Sequence, residues 1–102
     1  MHGKLGNRTG EADTLDSLGY AHHQLGHCSE AIACYQRAIE ALGDADDLHM
    51  RAMVLGRLGD AHDAAGHDKA ARDAWLKALA MLDGLNHPDA AGMRSRLSRP
   101  GA

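Results

Sequence analysis

A self-match at an offset of 40 residues constrains this chain more than any other feature of its sequence. The shift places Ala12 on Ala52, Leu15 on Leu55, Leu18-Gly19 on Leu58-Gly59 and Ala21-His22 on Ala61-His62. It continues with Gly26-His27 on Gly66-His67, Ala31 on Ala71, Ala38 on Ala78 and Leu42 on Leu82, while Tyr35 falls on Trp75. A fixed period of this size marks a helical-repeat architecture, in which one supersecondary unit packs on its copy. Composition agrees. Apolar residues are 44% of the 102-residue chain, yet Phe is absent and Trp75, Tyr20 and Tyr35 are its aromatics. The core is therefore built from Ala and Leu, which suits closely packed helices and argues against a β-sandwich. The length sets one domain, near the small end of what buries a self-sufficient core.

Taken in order, residues 1–9 show no periodicity and read as a flexible leader. Helix one is expected from Gly10 or Glu11, with Thr9 as N-cap. Ala12, Leu15, Leu18, Ala21, His22 and Leu25 recur at three- and four-residue spacing, the pattern of one buried helical face. Gly26 supplies the stop, because glycine takes the left-handed conformation without penalty. Helix two opens at Cys28 or Ser29, buries Ala31, Ile32, Tyr35, Ala38, Ile39 and Leu42, and ends at Gly43. Asp44, Asp46 and Asp47 crowd the entrance to helix three, where carboxylates cap orphan amides. Helix three buries Leu48, Ala52, Leu55, Leu58, Ala61 and His62 and stops at Gly66. Asp68 caps helix four, with Ala71, Ala74, Trp75, Ala78, Leu79 and Leu82 facing in. Pro88 suits a first helical turn, so a short helix follows within 87–97 and 98–102 fray. The expected fold is all-α: repeat one over 10–43, repeat two over 44–84, and a capping helix.

With these residues in place the pattern resembles the tetratricopeptide repeat. Leu18-Gly19, Ala31, Tyr35 and Ala38 fill its motif sites in repeat one, and Leu58-Gly59, Ala71, Trp75 and Ala78 fill them in repeat two. The small residues let the two helices of a repeat approach closely while the aromatic fills the gap beside them. The resemblance spans about residues 12–82 and departs from the family at several points. His22 and His62 stand where the family prefers Tyr, Leu15 and Leu55 where it prefers Trp, and the terminal Pro is missing. The longer period resembles the subgroup found in kinesin light chains and bacterial signalling proteins. A narrower resemblance lies in residues 11–19, 70–75 and 85–90, which are similar to the C-terminal repeat regions of actinobacterial transcriptional regulators of the Streptomyces antibiotic regulatory protein type. It implies that the chain is a regulatory fragment, with α-solenoid architecture and right-handed stacking of its repeats.

Several function classes are set aside. A net charge of -3 supplies no basic field for nucleic acid, and Arg94, Arg96 and Arg99 read as a solvated helix end. No apolar run approaches the ~18 residues that span a bilayer, and the first ten residues are too polar for a signal peptide, so the cytoplasm is expected. Cys28 and Cys34 read as reduced thiols. His22, His23, His27 and Cys28 cluster, and imidazole with thiolate suits zinc. Against a metal, His22 and His23 point about 100° apart on a helix, and His22 has a counterpart at a packing position, His62. No metal or cofactor is expected. Neither is an enzyme, because glycines mark helix ends and no nucleophile–base set stands apart from a solvated helix face.

An interaction surface remains. Helix-A residues line the inner face of tetratricopeptide arrays, and by register these are Asp13, Asp16, Ser17, Tyr20, His23 and Gln24, then Met53, Arg57, Asp60, Asp63 and Ala64. The set lacks the Lys/Asn/Arg pattern with which some family members grip a terminal carboxylate. Its four carboxylates suggest a basic or mixed peptide docked beside Tyr20. The bland counterpart is a charged face that keeps the array soluble. A second expectation is self-assembly, because two repeats leave apolar ends uncovered and a homodimer would cover them.

Overall fold

Two turns of the same build set the architecture. Gly26 and Gly66 take φ of 83° and 84°, the left-handed values that a side chain disfavours. At the first turn the His27 amide reaches back to the His22 carbonyl at 2.8 Å, and the Gly26 amide to that of His23 at 3.0 Å. The second turn repeats both bonds, His67 to His62 at 2.8 Å and Gly66 to Asp63 at 3.0 Å. This pair of backward bonds is the Schellman arrangement, which satisfies the last carbonyls of a helix. The His27 and His67 carbonyls then accept the first bonds of the next helices, from Ala31 at 3.0 Å and Ala71 at 2.9 Å. One three-residue connection thus closes one helix and opens the next.

The computed structural model describes residues 4–42 (side chains from residue 10), 48–84, 88 and 90–98. Its elements are α1 (Lys4–Gln24), α2 (Cys28–Leu42), α3 (Leu48–Ala64), α4 (Asp68–Gly84) and α5 (Ala90–Leu97). Among the described residues the fold is all-helical. α1 packs on α2 and α3 on α4 as antiparallel pairs, α2 joins the pairs by packing on α3, and α5 lies on α4. The Cα radius of gyration is 13.4 Å. No helix among the described residues is long and apolar enough to cross a membrane.

The pairs lock where small residues meet a ring. A Cβ on Gly19 would stand 2.7 Å from the Tyr35 ring, and one on Gly59 would run into Trp75 and lie 3.1 Å from the Ala71 carbonyl oxygen. Tyr35 and Trp75 are fully buried, as are Ala31, Ala38, Ala52, Ala61, Ala78 and Leu82. Glycine and alanine therefore serve as sockets, and the aromatic of the following helix is the plug.

Four expectations are corrected. Lys4 is already helical, so Thr9 lies inside α1 rather than at its cap. Nothing between Lys4 and Gly10 forbids helix, and each residue added to an existing helix gains one backbone bond. His67 rather than Asp68 caps α4, because its carbonyl opens the helix and Asp68 is the first helical residue. Leu18, Ala21 and Leu25 are exposed, while Asp16 takes a buried place on α1. Their repeat partners Leu58 and Ala61 are buried because α2 covers α3, whereas no helix precedes α1 among the described residues. Leu48, expected inside, is also exposed. Gly43 and the aspartates at 44, 46 and 47 lie outside the described residues.

Candidate interaction surface

Of the residues expected to line an inner face, Asp16, Tyr20 and Arg57 meet at the junction of α1 and α3. Asp16 on α1 is buried, and the Arg57 guanidinium from α3 forms an ion pair with its Oδ2. The same guanidinium carbon sits 5.7 Å from the centroid of the Tyr20 ring, in cation–π range. Tyr20 itself is half exposed. Asp16, Tyr20 and Arg57 thus form one continuous patch across two helices.

A second pairing follows on the next helices. Arg96 from α5 grips Asp60 of α3 in a fork, Nε to Oδ1 at 2.7 Å and one terminal nitrogen to Oδ2 at 3.1 Å. Such two-point contacts fix geometry better than a single bond. The buried Trp75 Nε1 donates to the same Asp60 Oδ1 at 3.2 Å and to the Gly56 carbonyl at 3.3 Å. In both places an aspartate on one helix is clamped by an arginine from the helix stacked after it. The two clamps are not repeat equivalents, since the 40-residue shift sets Asp16 on Gly56 and Tyr20 on Asp60.

These pairings change the electrostatics foreseen for the face. Asp16 and Asp60, two carboxylates expected on the face, are paired with Arg57 and Arg96. Asp13 is exposed on the turn of α1 before Asp16. Met53 is half buried on α3, and His23 and Asp63 are half buried in the last turns of their helices, at some remove from the clamps. Arg96 was read from the sequence as part of a solvated basic tail, so its role as a clamp was missed. No short-range pattern links it to Asp60, 36 residues earlier.

Beneath the patch lies Tyr35. Its hydroxyl and the Asp16 Oδ1 are buried and have no hydrogen-bond partner among the described residues. Burial, and next the Asp16 charge, push the Tyr35 hydroxyl up to about 12 from its ordinary value of 10, with Arg57 pulling the other way. The phenol therefore stays protonated at physiological pH. A separate cleft of about 380 Å³ opens between α2, α3 and α4, lined by Ile39, Leu55, Leu58 and Met81 with Glu40 and Lys77. The repeat pattern did not reveal it, because its lining residues come from three different helices.

Among the described residues no group of three or more His, Cys, Asp or Glu side chains is placed to hold a metal ion. Cys28 and Cys34 are free and half buried. No family model, curated protein or solved structure matches the chain.

Proposed function

We propose that the chain is a non-catalytic protein-interaction module of the tetratricopeptide kind, two repeats and a capping helix, which receives a peptide or partner domain across the α1–α3 face. The single observation that carries this reading is Tyr20, 52% exposed with the Arg57 guanidinium over its ring, on a face otherwise built of fixed charges. An exposed aromatic held beside an arginine loses little freedom on binding, and such residues dominate interface energetics. With Asp16 and Asp60 each paired, a mixed-charge peptide suits the face better than a strongly basic one. The regulatory end of a bacterial transcription regulator is the setting that the sequence resemblance favours.

Screening a peptide array of mixed and basic sequences against the wild type and Tyr20→Ala tests this. The expected result is a set of retained peptides whose affinity falls at least tenfold in the variant, with its helix content unchanged. Retention of no peptide, or equal affinity in the variant, would sink the reading.

A second reading, self-assembly, is favoured by a different observation. Leu18 is 47% and Leu25 is 69% exposed, while Leu58, the repeat counterpart of Leu18, is 8% exposed under its neighbouring helices. The α1 face is thus apolar where its copy in α3 is covered, and a second chain would bury it.

A further inference from the structure

Each turn between paired helices carries a pair of histidines whose Nδ1 atoms face one another. His22 and His27 approach to 3.4 Å with ring centroids 5.6 Å apart, and His62 and His67 to 3.2 Å with centroids 5.4 Å apart. The tilts between the rings, 41° and 46°, agree as well. The backbone explains why. In a Schellman turn the residue after the left-handed glycine and the residue five positions before it are tied by the longer backward bond, and their side chains meet, ordinarily as an apolar contact. Here both positions are histidine in both repeats, within the spacing His-X-X-X-Gly-His. A turn that needs grease has been given imidazoles, twice.

The separation is informative. Two imidazole nitrogens each about 2.05 Å from a tetrahedral zinc ion lie about 3.3 Å apart, whereas a square-planar ion would draw them to about 2.9 Å. The two separations, 3.4 and 3.2 Å, bracket the tetrahedral value. Each ring also has its second nitrogen, Nε2, to carry the proton when Nδ1 ligates. We infer that each His22–His27 and His62–His67 pair is a two-imidazole clamp for a tetrahedral divalent cation, zinc above all, with water completing the coordination shell. This differs from the His22, His23, His27 and Cys28 grouping weighed from the sequence. That set joined two helix residues that point about 100° apart, a turn residue and a cysteine of the next helix, while the turn geometry selects one histidine from the helix and one from the turn, and does so again in the second repeat. With two protein ligands per site, binding is weak compared with a closed four-ligand site, and exchangeable.

The alternative is that each pair is a latch alone, one imidazole donating to the other. Calorimetric titration of metal-stripped protein with zinc chloride in a non-coordinating buffer separates the two. The expected result is two zinc ions per chain for the wild type, one for His27→Leu, and loss of both sites for His27→Leu with His67→Leu. Leucine is the kind of apolar residue usual at this position of the turn, and retention of the fold is checked by helix content and melting temperature in chelator. Cobalt(II) in place of zinc should give the intense visible absorption of a tetrahedral ion in the wild type and not in the double variant. Absence of saturable binding to the wild type, or full stoichiometry in the folded double variant, would overturn the assignment.

Discussion

At the scale of single residues, the decisive contacts are those between a glycine and a ring. Gly59 has no room for a methyl group, since Trp75 occupies the place and is itself fully buried. Gly59→Ala should therefore cost about 1–3 kcal/mol by overpacking, read from denaturant unfolding followed by the emission of Trp75. Wild-type stability in that variant would mean that the socket is looser than the contacts imply. Tyr35 makes a second residue-scale prediction. Its hydroxyl is raised to about 12, whereas in the unfolded chain it ionises near 10. Between those values the unfolded state binds fewer protons, so folding stability from this group is whole below pH 10 and falls as pH rises from 10 to 12. Phenolate absorbance should show one tyrosine titrating near 12 in the folded protein, and its appearance near 10 before unfolding would contradict the burial.

At the scale of elements, the joints between helices are held by charges with unequal worth. Arg57→Ala leaves the buried Asp16 carboxylate without its partner and should cost about 1–3 kcal/mol. Arg94, which pairs with Asp83 between two exposed side chains, should cost less than about 0.5 kcal/mol when truncated. Equal losses in the two variants, measured by urea unfolding, would remove the clamp from the account of stacking. The early start of α1 is equally open to test. Gly10 is helical and a Cβ there meets nothing, so Gly10→Ala should add about 0.5–1 kcal/mol. A neutral result would return the start of α1 to Glu11, the later of the two positions that the sequence suggested.

For the whole molecule the question is what the α1 face does with Leu18 and Leu25. Repeat arrays are stabilised by interfaces between neighbours, and terminal units ordinarily present a polar outer side. If chains associate through α1, the melting temperature should rise with protein concentration and become concentration-independent in Leu18→Ser. A melting temperature constant across a hundredfold range for the wild type would assign the molecule to monomeric partner binding instead.

Much of this was legible in one dimension. Helix periodicity, turn glycines and the 40-residue shift located both helical pairs and the Gly26 and Gly66 turns, because helix periodicity and turn chemistry are local and each occurs twice. The tetratricopeptide resemblance pointed to the close packing around Tyr35 and Trp75. The shift also contained the two His-X-X-X-Gly-His segments, though reading them as pairs required knowing that the turn ties their side chains together. Tertiary structure decided the rest. Leu18 and Leu58 each open a Leu-Gly-X-Ala-His segment yet have opposite exposure, since burial depends on whether another helix lies over the site. The Asp16–Arg57 and Asp60–Arg96 clamps were likewise invisible, because they join residues on different helices out of register with the repeat. Local chemistry chooses helices and turns; which faces are covered, and which charges meet, depends on how the helices stack.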